Sequence, residues 1–437
     1  MNIFTDLKKE QNASIRLILC IGLCLRIFYL LYTPCGIRSN DFWEIRSDSW
    51  GHAAYILNLL EGHLPRTNTV QFYQQPFYYL LSAGLAKISL LFMPGLSAYR
   101  LVSFGQIVSC TASCITLFLA KKLGETLRLS MAGLQILLLY VAFTPVFILN
   151  SGSVTPDALT TCFLTAEFLV TLLWKQMPCR KYLFTLAFLY GFGVMTKISC
   201  ATVVPFTALI FLQKLFQEKD CRRRLCLLKD YLLFGCISLP LGLWYALRNW
   251  LLFRQPLTYV PDLGKTSYLY RGDHSLVSRL FYVDIRNLFS GPYAVVADDY
   301  NVPVYFLKSS LFGEFHFSVP GLIPAMLLWS ALLLALLFVA ALLWNLRNPS
   351  GRFRKELLLM TFLFYGSILF FNIKYPYGCS MDYRYMGFFS VLGGCLFGAY
   401  ADEYRKKGGA YGFAIVRLPF LLYAVCSFLM YTFAAWC

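Results

Sequence analysis

Residues 319–371 read VPGLIPAMLLWSALLLALLFVAALLWNLRNPSGRFRKELLLMTFLFYGSILFF. Two apolar runs, Val319–Trp344 and Leu357–Phe371, flank a loop, NLRNPSGRFRKE, that carries nearly all the charge of the stretch. Apolar runs of about 20 residues are what a hydrocarbon core of about 30 Å requires. The pair therefore reads as two membrane spans joined by a basic turn, and the same alternation recurs along the chain. The other apolar runs are Leu17–Tyr32, Tyr99–Leu119, Met131–Leu149, Ala158–Trp174, Tyr182–Met195, Ser199–Leu212, Tyr231–Phe253, Met386–Tyr400 and Tyr411–Trp436. The reading is an all-α polytopic membrane protein of about 11 transmembrane helices.

Composition agrees. The chain is 58% hydrophobic and 14% charged, with a mean hydropathy of +0.59, against roughly 45–50% and about 25% for soluble domains. That excludes a disordered, collagen-like or disulfide-stapled secreted chain, and nearly rules out a soluble globule. A formal charge of +17 could suggest nucleic acid. The cations, however, gather in KKLGETLR, WKQMPCRKY, QKLFQEKDCRRRLCLLKD, NLRNPSGRFRKE and ADEYRKKGG, at every second span boundary. This is the positive-inside bias, and no nucleic-acid partner is expected. It sets the N-terminus inside and the C-terminus outside. Met1–Arg16 is polar and no small-residue cleavage site follows, so the first run is expected to stay as an uncleaved span. Most of the 15 cysteines lie in apolar spans without metal-ligand or CxxC spacing, and read as small apolar residues.

Phe77–Met93 (FYYLLSAGLAKISLLFM) is apolar enough to be a span, but counting it would place Arg222, Arg223 and Arg224 outside. It reads instead as a helix lying at the outer surface, bounded by Pro76 and by Pro94-Gly95. Two extracytoplasmic segments are then long, 33–95 and 254–318, rich in Asp, Tyr, Asn and Pro. Loops of that length without a disordered composition usually carry function. The chain is expected to form one membrane domain over 1–437, without a soluble terminal domain.

The first loop, SNDFWEIRSDSWGHAAYILNLLEGHLPRTNTVQFYQQPFYY, concentrates Asp41, Glu44, Asp48, His52, Glu61 and His63. An amphipathic helix is expected from about Ser49 to Glu61, with Ser47 or Asp48 as its N-cap. An Asp soon after the first span, then GHAAYI, LP and FYQQPFYYLLSA, resembles the glycosyltransferase C superfamily. In particular it resembles bacterial relatives of protein O-mannosyltransferases and of the lipid A aminoarabinose transferase (glycosyltransferase family 39-like). Further pieces match in order: SGSVTPDAL, VMTKIS, WYALRNWLLFRQPLTYVP, KSSLFGEF and YPYGCSMDYRYM. The likeness runs from about Leu17 to Tyr400. The family's Pro-Pro is Gln75-Pro76 here, and Met386-Gly387 follows Arg384-Tyr385 where relatives often carry a proline.

The resemblance implies an inverting glycosyltransferase that moves a sugar from a polyprenyl-phosphate carrier to an extracytoplasmic acceptor: a cell-wall glycan, a glycolipid or a protein. It implies an essential first-loop Asp. Asp41 sits soon after span one, and Asp48 sits four before His52, as in the wider Asp-Glu-x-x-His pattern. It also implies a plasma-membrane location and undecaprenyl phosphate as carrier. The chemistry suits the residue types. A phosphate leaving group needs cations rather than a general acid, and the acceptor needs one base, which a carboxylate can supply. Neither GxxxxGK[ST] nor GxGxxG is present, which fits a donor delivered by the membrane. Candidate donor and substrate contacts are Lys197, Arg248 and Arg384 at outer span ends, with Asp157, Asp382, His52 and Tyr73. Asp157 also reads as the N-cap of span four, and Tyr73 and Tyr293 as interfacial aromatics. No cofactor is required by this scheme, although a divalent metal is compatible with it. A transporter or flippase of envelope precursors is the rival reading, and would call for pseudo-symmetric halves and charges at mid-membrane.

Overall fold

The computed structural model describes residues 3–41 and 51–436. The described residues are helical with no strand beyond an isolated bridge between Tyr270 and Tyr377. Every apolar run found in the sequence lies on a helix. The first seven spans are Ile3–Tyr32, Ala98–Thr126, the bent pair Met131–Phe143 and Pro145–Ser151, Asp157–Gln176, Arg180–Thr196, Val204–Gln217 preceded by the 3-10 turn Ile198–Val203, and Cys221–Phe253. The eighth and ninth are Leu322–Arg347 and Arg354–Lys374. The last two come from Gly387–Phe433, which Gly409 divides with φ 59° and ψ −141°. Among the described residues, eight helices can cross a membrane alone by length and composition, and nine with the bent pair. Splitting the last at Gly409 and admitting Arg180–Thr196, at 17 residues the lower end of the usual range, gives the eleven expected. The protein is a multi-pass membrane protein. Apolar side chains left open to the surroundings agree with lipid contact: Leu232 is 69% and Leu251 62% exposed on the seventh span.

The chain divides into two compact units, Met1–Thr33 with Ser113–Ser151 and Asp262–Cys437, and Pro34–Ala112 with Gly152–Pro261. In the first unit the third span bends by 46° between its two helices, and the cause is local. Pro145 has no N–H, so the carbonyl of Val141 loses its i→i−4 donor. Arg26, fully buried in the first span, replaces it: Nη2 donates to Val141 O at 3.0 Å, Nη1 to Ala142 O at 2.9 Å and Gly22 O at 2.8 Å, and Nε to Ser113 Oγ at 2.9 Å. A charge at membrane depth is costly unless paired with polar groups, and this one is spent on the bend. The third span also packs closely on the tenth. A Cβ on Gly133 would lie 2.6 Å from Gly398 O, and one on Gly398 2.7 Å from Gly133 O. Only glycine permits that approach.

The second long loop is folded around Arg271. Its guanidinium donates to Tyr268 O at 2.9 Å, Tyr270 O at 2.7 Å, Asp299 O at 3.0 Å, Val296 O at 3.0 Å and to Ala297 O, while its amide donates to Pro376 O at 2.7 Å. One residue, through its side chain and its amide, thus ties two stretches of the loop to the turn before the tenth span. At that junction Tyr377 donates to Asp262. That bond and the Gly264 amide hold the Asp262 carboxyl below its ordinary value, while burial and the carboxylate push Tyr377 up to about 12.

In the second unit Gly51–Leu60 and Phe77–Phe92 pack together around Ala53, Tyr55, Ile56, Phe72, Tyr78 and Tyr79. The expected first-loop helix is therefore present. Its N-cap candidates, Ser47 and Asp48, lie outside the described residues, as does Glu44.

Candidate functional site

Within the second unit, two short connections are laced together. Ser39 Oγ accepts from the Val154 amide at 3.1 Å, and Ser153 Oγ donates to Arg38 O at 3.3 Å. The stretch leading to Asp41 and the SGSVTPDAL stretch leading to Asp157 are thereby held side by side. Gln106 and Ser109 of the second span add bonds to Gly152 O at 2.7 Å and Thr155 O at 3.3 Å.

Asp157 is the first helical residue of the fourth span, since the N-cap is Pro156, which offers no side-chain cap. The capping expectation for Asp157 is corrected by one position. A proline is suited to this boundary because the amide it lacks would have no partner there anyway. The carboxylate instead accepts from Lys197 Nζ at 2.5 Å, with side-chain exposures of 5% and 19%. Lys197 ends the fifth helix in extended conformation, φ −159° and ψ 135°. An acid at one helix N-terminus and a base at another helix C-terminus both lie with the local dipoles. The pair is therefore stabilised by more than mutual attraction.

Asp41 takes a left-handed conformation, φ 54°, and its carbonyl accepts from the His52 amide at 3.3 Å. His52 is buried, and its Nδ1 lies 2.6 Å from the Tyr79 hydroxyl. Gln74 commits its amide nitrogen to Gln71, so its Oε1 faces Tyr79 and accepts that hydroxyl's proton at 3.2 Å. Tyr55 stacks on Tyr79 at 3.9 Å and donates to Gln74 O at 3.1 Å. Burial above all, then Tyr78, Tyr73, Asp157 and Asp41, pushes the Tyr79 phenol well above its ordinary value. It stays a neutral donor, and both Asp41 and Asp157 lie within its electrostatic reach.

Arg248 is turned to the loop: Nη2 donates to Pro65 O at 2.8 Å and Nη1 to Asn249 Oδ1 at 3.0 Å, with the guanidinium over Tyr245 at 5.4 Å. It anchors the leucine–proline stretch of the first loop. Tyr73 meets Tyr259 edge-on at 5.8 Å. The second unit thus ties Asp41 to His52 and Asp157 to Lys197, and sets Arg248 and Tyr73 against and along the first loop. Asp48 lies outside the described residues.

In the first unit Asp382 caps the 3-10 turn Tyr383–Met386 by accepting from the Arg384 amide at 2.9 Å. The buried Arg384 guanidinium lies 3.6 Å from Asp382 Oδ2, donates to Tyr385 Oη at 2.7 Å, and covers that ring at 4.9 Å. The KSSLFGEF helix, Val302–Phe312, supports this turn through Ser309 Oγ, which accepts from the Tyr383 amide at 3.1 Å. Lys308 beside it is buried and donates to Asn287 O at 2.7 Å and Oδ1 at 2.8 Å. Burial lowers its pKa, with Asp299 and Asp284 opposing. Among the described residues no cluster of three His, Cys, Asp or Glu is placed to hold a metal ion.

Several residues of these networks escaped the sequence reading. Tyr79, Gln74 and Lys308 carry no local signal. Glu167 does: it is an acid in the middle of the fourth span, fully buried, with neither carboxyl oxygen hydrogen-bonded. An ionisable residue at that depth is itself a flag.

No protein-family model and no curated protein matches the chain. Solved structures do. The fold is similar to those of two membrane proteins of known structure. One match is ArnT from Cupriavidus metallidurans, a lipid A aminoarabinose transferase, in a crystal structure bound to undecaprenyl phosphate. Its TM-score is 0.54 at 12% identity, covering 96% of this chain and 76% of that one. The apo state of the same protein also gives 0.54, over 97% and 76%. The oligosaccharyltransferase of Archaeoglobus fulgidus, tethered with an acceptor peptide containing the NVT sequon, gives 0.52 at 12% identity, over 98% of this chain and 55% of that one. At these identities the likeness is one of fold.

Proposed function

We propose that the protein is an inverting glycosyltransferase using a polyprenyl-phosphate-linked sugar, with Asp41 as the base. The observation that carries the reading is the buried Asp157–Lys197 pair at the start of the fourth span, whose leading stretch is tied by hydrogen bonds to the stretch leading to Asp41. That arrangement offers a carboxylate a short loop after the first span in sequence and, on the stretch tied to that loop, an acid paired with a cation. The fold shared with ArnT, seen bound to undecaprenyl phosphate, supports a lipid-phosphate donor. In the reaction the acceptor O–H or N–H attacks the anomeric carbon as the carbon–oxygen bond to phosphate breaks. The base takes the proton and the polyprenyl phosphate leaves with the bonding pair. A single displacement inverts the centre. Lys197 stabilises the growing phosphate charge; for Arg384 the motif match alone implies a donor-phosphate contact, where a guanidinium can clamp two oxygens at once. Asp382, by capping the turn, orients Arg384, while His52, Tyr73 and Arg248 hold the loop that presents the base and meets the substrates.

The direct test is purified protein in nanodiscs, offered a polyprenyl-phospho sugar or the matching nucleotide sugar. Transfer is expected from the first alone, and Arg384→Lys should lower both turnover and donor affinity, since an ammonium is a point charge without the fork. Efficient transfer from the nucleotide sugar, or lipid translocation without any transfer, refutes the donor scheme.

The site is proposed to face outward from the plasma membrane, with an acceptor that is a cell-wall glycan, lipid or protein. Support comes from Arg222, Arg223 and Arg224. They occupy the first turn of the seventh helix, where cations oppose the helix dipole, so their place is explained by topology rather than by helix stability. In a Cys-free background, a cysteine at position 223 should resist an impermeant reagent, while positions 68 and 270 react. Labelling of 223 from outside would invert the scheme.

A further inference from the structure

The first unit contains a second chemical site that the transfer reaction does not use. A cavity of about 460 Å³ opens among the ends of the second, third, eighth, ninth and tenth spans, in the loops KKLGETLR, NLRNPSGRFRKE and ADEYRKKGG. Four cations line it: Arg128, Arg352, Arg354 and Lys406. Two acids lie there as well, but both are engaged. Asp402 caps the third span, with Oδ1 accepting from the Gly133 amide at 2.8 Å and Oδ2 from the Ser130 amide at 2.8 Å. Glu403 pairs with Lys407 at 3.2 Å. None of the four cations forms an ion pair among the described residues.

The lining is also built. Arg354 lies over the Trp344 ring at 4.7 Å and donates to Asn348 O at 2.6 Å. Its guanidinium rests against Gly351, where an added Cβ would meet it at 2.7 Å. The ninth helix opens here behind Phe353, at φ 54° and with no side-chain cap, which adds the partial positive charge of a helix N-terminus. A held arginine on an aromatic floor, three further cations and an uncapped helix start together match a phosphate-bearing anion.

We infer that this cavity binds the phosphate of an anionic phospholipid headgroup. The lipid source is favoured over a free phosphate by position. The cavity sits at the ends of apolar spans, and Leu343 and Leu359, within about a turn of those ends, are 49% and 39% exposed, giving acyl chains an apolar path. Basic pockets between spans on the inner side of a membrane are where acidic headgroups bind.

The test measures thermal unfolding and native mass spectra of the whole protein in neutral detergent. Its three arms are short-chain phosphatidylglycerol, short-chain phosphatidylcholine and inorganic phosphate. Phosphatidylglycerol is expected to raise Tm in a concentration-dependent way and to remain bound in the mass spectrum, where phosphatidylcholine does neither. The triple variant Arg128→Gln, Arg352→Gln, Lys406→Gln should bind it at least about ten-fold more weakly. Arg128 and Lys406 are exposed and the triple should fold normally, which its lipid-free Tm reports. The charge-keeping pair Arg128→Lys, Arg352→Lys should retain most of the response. Equal stabilisation by inorganic phosphate would overturn the lipid source. An equal response to phosphatidylcholine, or an undiminished response in the triple variant, would overturn the site.

Discussion

Asp41→Asn is expected to cut turnover by about 10²–10⁴-fold, the contribution of one positioned general base, with donor affinity little changed. The substitution is unusually clean at this position. Asp41 has φ 54°, and Asn tolerates the left-handed region as well as Asp does, so the backbone keeps its shape. The bond from the His52 amide goes to the Asp41 carbonyl, which the substitution leaves in place. Asp41→Ala would add backbone strain to the loss of the base, and so could not separate the two. Single-turnover transfer with pre-bound donor reads the chemical step, and donor titration reads binding. An Asn enzyme near wild type, with Asp48→Asn inactive, moves the base to Asp48.

Much of this architecture was legible in the chain itself, for a physical reason. A bilayer demands long unbroken apolar runs and sorts cations to one side, so hydropathy and charge alone mark the spans and their order. The Pro145 bend could be suspected, but its repair could not. Arg26 reaches Val141 O across 115 positions, and no local pattern encodes that. The same holds for the site. Asp41, Asp157 and Lys197 stood out because charged residues beside apolar runs are conspicuous. Tyr79, His52 and Gln74 form their network only once two helices of the first loop stack, and tyrosines are too common here, at 29, for one to draw notice. Arg248 shows the opposite limit. Its place at a span end suggested a phosphate ligand, whereas its guanidinium holds the Pro65 carbonyl.

Removing Lys197 tests whether the Asp157 pair works on the donor or only on the fold. Lys197→Met removes the ion-pair partner of a carboxylate that is almost fully buried. Breaking such a pair from one side costs about 3–5 kcal/mol, most of it the uncompensated charge, and the variant should unfold at clearly lower temperature. The double variant Asp157→Asn, Lys197→Met leaves no stranded charge, and replacing both members of a buried pair is often neutral. Stability should therefore return in the double variant. Activity should not return, because the cation that offsets the leaving phosphate is gone and that interaction strengthens in the transition state. The double variant should show a large loss in kcat/KM with the loss also visible in kcat, while Tm stays near wild type. Recovery of both stability and turnover would mean that the pair only joins the fourth and fifth spans.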